Sequence, residues 1–126
     1  MANFARLYTT ILSIILMLSF YSGYGSRSSY GGVFHLPMKR WCIAKAGTSD
    51  DLLQSNIDFA CARADCGPIQ VDQACYYPLT NISHASFAMN SYYHTYGIDP
   101  INCDFNNSGR VVFFDPSYRA CTYPPS

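Results

Sequence analysis

A small α+β fold is predicted for this chain: two packed helices, a small antiparallel β-sheet and long loops, held by disulfides. Three observations predict it. Six cysteines stand in a chain of 126 residues, an even number that reads as a disulfide framework in a short secreted protein. Two segments carry apolar residues at helical spacing behind hydroxyl caps. Short runs of strand composition, separated by turn residues, follow the second of them.

Residues 1–25 are expected to be a secretory signal peptide. Arg6 supplies the positive start, and Ile11–Phe20 is an apolar run too short to span a bilayer. Gly23 and Gly25 are the small residues before an expected cleavage after Gly25. Residues 26–40, rich in Ser, Gly and Tyr without an apolar period, read as a flexible lead-in. Within it, Lys39-Arg40 is either a processing site or a solvated charge pair.

The ordered domain is placed at 41–123. Thr48-Ser49-Asp50-Asp51 starts a helix, with hydroxyl caps and acids that suit the positive end of the helix dipole. Leu53, Ile57 and Ala60 recur at helical spacing, Leu52 and Phe59 widen the stripe, and Gly67-Pro68 stops it. The first domain helix is therefore expected over Asp50–Arg63. Gln70–Tyr77 is an extended candidate that ends at Pro78. Thr80 and Ser83 are both caps for a second helix over Ser83–Tyr96, which Gly97 closes. Ile98–Ser108 reads as loop. Arg110–Phe114 has strand composition, Asp115-Pro116-Ser117 is a turn, and Tyr118–Tyr123 is expected to return as the partner strand. Residues 124–126 are a short tail without the apolar character of a lipid-anchor signal, so no stable membrane anchor is expected.

The composition removes several classes of function. Lys plus Arg equals Asp plus Glu, eight of each, so no basic excess favours nucleic acid. None of His35, His84 and His94 stands with cysteines at a zinc-finger spacing, and no metal or other cofactor is expected. Glycosidases mostly place two carboxylates across the scissile bond. This chain has no Glu, and its Asp residues read as helix-start, loop and turn residues. Asp58 alone lies inside a helix, as a solvated residue or a ligand contact. No nucleophile elbow and no phosphate-binding glycine loop are present, and paired cysteines would not act as nucleophiles. The expectation is no enzyme.

Tyrosine supplies the positive signal. A sugar ring presents a C–H face that packs on an aromatic face, while polar neighbours take its hydroxyls. Tyr92 and Tyr96 share a helix face, and Tyr93 lies about 100° round from Tyr92. These three are the candidate platforms, with Gln54, Asp58 and Asn90 as polar contacts. Trp41 is either a further contact or a core plug over Cys42. Asn81-Ile82-Ser83 and Asn106-Asn107-Ser108 are glycosylation triplets, with Asn81 and Asn106 as acceptors.

Several strings taken together resemble the plant X8 domain, the family 43 carbohydrate-binding module. They are Trp41-Cys42-Ile43-Ala44-Lys45, Ile57-Asp58-Phe59-Ala60-Cys61, Ala64-Asp65-Cys66, Cys75-Tyr76, His84 through Tyr93, Cys103-Asp104-Phe105 and Asp115-Pro116-Ser117-Tyr118. The resemblance runs from Trp41 to about Tyr123. It departs in a shorter Cys61–Cys66 segment, in Gln73-Ala74 where glycines are common, and in Leu79 where Asn is frequent. The family occurs as modules of β-1,3-glucanases, in anchored callose-binding proteins and as free pollen proteins, and this chain is most like the last group. The resemblance implies non-catalytic binding of β-1,3-glucan in the plant cell wall by a secreted monomer. A rival reading is an interaction protein that holds a wall glucanase or another wall protein, and a more distant one is a glycoside hydrolase. Six cysteines by themselves allow fifteen pairings; the family pattern implies Cys42–Cys103, Cys61–Cys66 and Cys75–Cys121.

Overall fold

The computed structural model describes residues 2–22 and 36–125. The expected cleavage after Gly25, His35 and most of the lead-in lie outside the described residues. The chain divides into two units, 1–36 and 37–126. In the first, Ala2–Ser22 forms helix α1. Among the described residues no helix is long and apolar enough to cross a membrane.

The second unit contains strand β1 (Trp41–Ala44), helix α2 (Asp50–Cys61), helix α3 (Asn81–Tyr96) and strand β2 (Gly109–Val112), with 3₁₀ turns at Gly67–Ile69 and Pro100–Cys103. Helix α2 begins where expected. Ser49 is extended, and its Oγ accepts from the Leu52 amide at 3.3 Å. The helix ends at Cys61, two residues short of Arg63, where the bridge to Cys66 turns the chain. Helix α3 starts two residues earlier than Ser83. Thr80 is its cap, accepting from the Ser83 amide at 3.3 Å.

The sheet differs from the expectation. β2 pairs antiparallel with β1, Trp41 opposite Val112 and Ala44 opposite Gly109. Tyr118–Tyr123 is not its partner; that segment folds on itself through a single Tyr118–Cys121 bridge. Cys121 is held to Cys75 instead, and Tyr118 donates its phenol to the Tyr77 carbonyl at 2.8 Å. Gln70–Tyr77 is a series of turns rather than a strand. Gly109 is needed at the start of β2, because a Cβ there would lie 1.7 Å from the Cys103 carbonyl oxygen.

Helix α3 is the central element. Ala85 through Ser91 are buried without interruption, as expected of a helix enclosed on several sides. Leu53, Asn56 and Ala60 of α2 are buried with it. Its buried polar residues meet backbone groups that would otherwise lack partners. Ser86 Oγ accepts from the Ala44 amide at 3.0 Å, and Asn90 Oδ1 accepts from the Cys42 amide at 3.0 Å. Asn90 Nδ2 donates to the Pro124 carbonyl at 3.1 Å, and Ser91 donates to the Asp65 carbonyl at 2.6 Å. Three polar side chains thus fasten β1, the segment after α2 and the C-terminal segment to one helix. Losing Ser86 or Asn90 would strand a buried amide of β1, at a cost of about 1–3 kcal/mol.

Disulfides join Cys42 to Cys103, Cys61 to Cys66 and Cys75 to Cys121, with sequence separations of 61, 5 and 46. Restricting the unfolded chain stabilises the fold by about 4 kcal/mol for each long loop and about 2 kcal/mol for the short one.

Candidate functional site

The aromatic residues of α2, α3 and the following loop meet on one side of the second unit. Tyr92 and Tyr96 of α3 stack, their ring centroids 4.6 Å apart and their planes 22° apart. Phe59 of α2 lies 5.2 Å from Tyr92, and Phe105 lies 5.6 Å from Tyr92 and 6.1 Å from Phe59. Phe59 and Tyr96 remain 42% and 52% exposed. Together the four rings form a shelf that is only partly covered. The Arg63 guanidinium sits over Phe59 at 3.8 Å from the ring centroid, and its Nη1 donates to the Phe59 carbonyl at 2.8 Å. That contact fixes the ring from above.

A cavity of about 380 Å³ opens beside the shelf. Phe59, Tyr92 and Phe105 form its aromatic wall, and Asn56, Asn102, Asp104 and Asn106 supply polar groups. Three of these are amides and one is a carboxylate, so the site offers both donors and acceptors of hydrogen bonds. Their positions are set by the backbone around them. Asn102 donates to the Gly97 carbonyl at 2.9 Å, which ties the 3₁₀ turn to the end of α3. Asn56 is buried, and its Nδ2 donates to Ser108 Oγ at 2.8 Å.

The loop that carries Phe105 and Asn106 has an unusual backbone. Phe105, Asn106 and Asn107 all have positive φ, at 43°, 54° and 63°. One such residue is uncommon outside glycine, and a bulky aromatic there is rarer still. Several bonds hold the turn in place. The amides of Ser108 and Gly109 donate to the Asp104 carbonyl, each at 3.1 Å, and the Lys45 amide donates to the Ser108 carbonyl at 2.8 Å. Lys45 Nζ reaches both the carbonyl and Oδ1 of Asn107, at 2.9 and 2.8 Å. The Cys42–Cys103 bridge anchors the turn at its start. The left-handed turn directs Phe105 back to Phe59 and Tyr92.

The structure brings together only part of the set expected from sequence. Tyr92 and Tyr96 lie on the shelf. Tyr93 does not: it is fully buried among Leu53, Ala85 and Met89, and burial pushes its phenol above the ordinary tyrosine value. The reason is rotational. One residue along α3 turns the side chain about 100°, from the open side into the core. Asn90 is likewise fully buried, its two ends holding Cys42 and Pro124. Trp41 is 4% exposed and belongs to the core with Phe87, Val112 and Tyr123. Gln54 and Asp58 are exposed, but they hydrogen-bond each other at 2.9 Å on the surface of α2, outside the residues that line the cavity.

The sequence reading missed Phe59 and Phe105 as platforms. Phe59 carried a signal, because it lies 100° to 160° round the helix from each of Leu53, Ile57 and Ala60, at about 100° per residue. Nothing in the sequence announced three consecutive left-handed residues, though two adjacent asparagines tolerate that conformation. Two other grooves exist, one of about 430 Å³ along β1 and the start of α3, and one of about 490 Å³ between Tyr77 and Tyr118. Neither gathers several rings and several amides at one wall.

Comparison with known proteins agrees with this architecture. Residues 40–110 match the model of the X8 domain. The chain is 46% identical over 87 residues to the major pollen allergen Ole e 10 of Olea europaea, which covers 68% of this chain and 71% of the allergen. It is 39% identical over 87 residues to plasmodesmata callose-binding protein 1 of Arabidopsis thaliana, covering 68% of this chain and 43% of that protein. It is 46% identical over 85 residues to a glucan endo-1,3-beta-D-glucosidase of Olea europaea, but the match spans only 18% of the enzyme.

Proposed function

This chain belongs to the X8 domain family, and on that premise we propose that it is a non-catalytic module that binds β-1,3-glucan. The observation that carries the reading is the four-ring shelf beside an amide-lined cavity. Pyranose C–H faces pack against the rings, and sugar hydroxyls exchange hydrogen bonds with Asn102, Asp104 and Asn106. The tilt of the rings suits the linkage. Phe59 and Phe105 stand at 57° and 76° to Tyr92, so the rings are not coplanar. A β-1,3 linkage bends the glucan at each residue, whereas a β-1,4 chain is a flat ribbon that needs coplanar platforms.

The same reading extends to location. Signal removal after Gly25, secretion to the cell wall and action as a monomer follow as parts of the proposal. Three disulfides support an oxidising route. Matched glucosidases carry this region as a small fraction of their length, which supports a binding role separate from hydrolysis.

The test is a pull-down. The oxidised chain, produced without N-glycans, is incubated with insoluble β-1,3-glucan, with cellulose as control and soluble laminarin as competitor. Retention on β-1,3-glucan, released by laminarin and with no sugar liberated, is the expected result. A correctly folded chain that passes through unretained would overturn the reading and direct the search to wall proteins.

A further inference from the structure

We propose that Asn106 carries an N-linked glycan whose core sugars lie in the cavity, making the chain its own competitor for glucan. For its consequence the inference rests on the glucan-binding reading; its geometry stands apart from it. Two independent observations meet at this residue. Asn106 is the acceptor of the Asn106-Asn107-Ser108 triplet, and it lines the same cavity as Phe59, Tyr92 and Phe105.

The three residues of the triplet are held very differently. Asn107 is tied through its carbonyl and side chain to Lys45. Ser108 is 3% exposed and bonded to Asn56. Asn106 is exposed, and among the described residues its side chain takes no hydrogen-bond partner. A glycan on Asn106 therefore displaces nothing in the fold. Since Ser108 is buried in the finished turn, transfer precedes closure of that turn, as for a chain entering an oxidising secretory compartment. In the transfer, Asn106 Nδ2 bonds to C1 of the oligosaccharide. The C1–O bond to a lipid-pyrophosphate carrier breaks, and the proton lost from Nδ2 leaves with the pyrophosphate.

The first sugars of such a glycan are β-linked pyranoses with the same apolar faces as glucan. Tethered at the rim of the shelf, they meet it at an effective concentration in the millimolar range, typical of short flexible tethers. A free glucan segment must displace them. The triplet at Asn81 provides a contrast, because Asn81 opens α3 and is not among the residues lining this cavity.

The experiment compares two preparations of the full chain carrying Asn81→Gln, so that only Asn106 remains as an acceptor. One is secreted from a plant cell line and the other is made in a bacterial periplasm, which adds no such glycan. Glycopeptide mass spectrometry reads occupancy, titration with soluble laminarin reads affinity, and tetranitromethane followed by peptide mapping reads access to Tyr92. Tyr77, 68% exposed and not among the residues lining the cavity, is the internal reference. The expected result is an occupied Asn106, laminarin affinity weaker by about tenfold, and slower nitration of Tyr92 relative to Tyr77. An unoccupied Asn106 in the plant product, or an occupied one with unchanged affinity and unchanged nitration, would overturn the proposal. If neither preparation binds laminarin, the glucan reading fails, and Tyr92 nitration alone decides whether the glycan covers the shelf.

Discussion

Tyr92 and Tyr93 are adjacent in sequence and opposite in circumstance. Tyr92 belongs to the open shelf with Phe59, Tyr96 and Phe105, its ring lining the cavity. Tyr93 belongs to the closed seam with Leu53, Ala85 and Met89, where no part of it reaches solvent. Both regions are built on α3, but the shelf is aromatic and the seam is mostly aliphatic. What separates them is the layer outside: the seam is covered by β1 and α2, whereas on the shelf Phe59 and Tyr96 remain 42% and 52% exposed. Residue type therefore does not tell an open ring from a core ring; the angle around the helix does.

The sharpest way to break this comparison is Tyr93→Ala. If the seam is core, removing the ring leaves a large cavity and costs about 3–5 kcal/mol of stability, read as a large fall in the urea midpoint. A Tyr93→Ala chain that unfolds like the parent but no longer holds glucan would place Tyr93 in the site after all. Tyr92→Ala should behave in the reverse manner. Laminarin affinity should fall about tenfold, near 1.4 kcal/mol, while the urea midpoint moves much less than for Tyr93→Ala. Equal loss of stability in the two variants would erase the distinction between shelf and seam.

A smaller effect probes the seam through pH. Burial holds the His94 imidazole below its ordinary value, against a weaker opposing contribution from the Arg40 backbone. The unfolded chain then binds the proton first, so stability is lost as pH falls below about 6.5 and is unaffected well above it. Urea midpoints at acid and neutral pH should differ less for His94→Gln than for the parent; an unchanged difference would show that His94 does not carry this dependence. The smallest effect belongs to Gln54 and Asp58. Their exposed i, i+4 pair contributes at most about 0.5 kcal/mol, and Asp58→Ala should leave laminarin affinity within error. A clear loss of affinity would extend the site along α2.

Local patterns in the sequence already contained much of this. Ser49 and Thr80 marked helix starts because a hydroxyl beside free amides has a local partner wherever the helix ends up. The stripe of Leu53, Ile57 and Ala60 marked the buried face of α2 through the 3.6-residue period alone. Likewise Tyr92 and Tyr96 were legible as neighbours, since four residues along a helix return to one side.

The rest depended on contacts between distant segments. Pairing β2 with β1 rather than with Tyr118–Tyr123 was decided where Ser86 and Asn90 of α3 take up the free amides of β1. The same contacts turned Asn90 from a candidate ligand into a fastener, because a buried amide must be satisfied wherever the fold encloses it. Phe105 joined the shelf only because a left-handed turn, held by Lys45, Asn56 and the Cys42–Cys103 bridge, aims it there. Periodicity and capping are short-range effects, so the order of residues determined them on its own. Which side of α3 stayed open was a question of what packed against it, and only the assembled tertiary structure decided that.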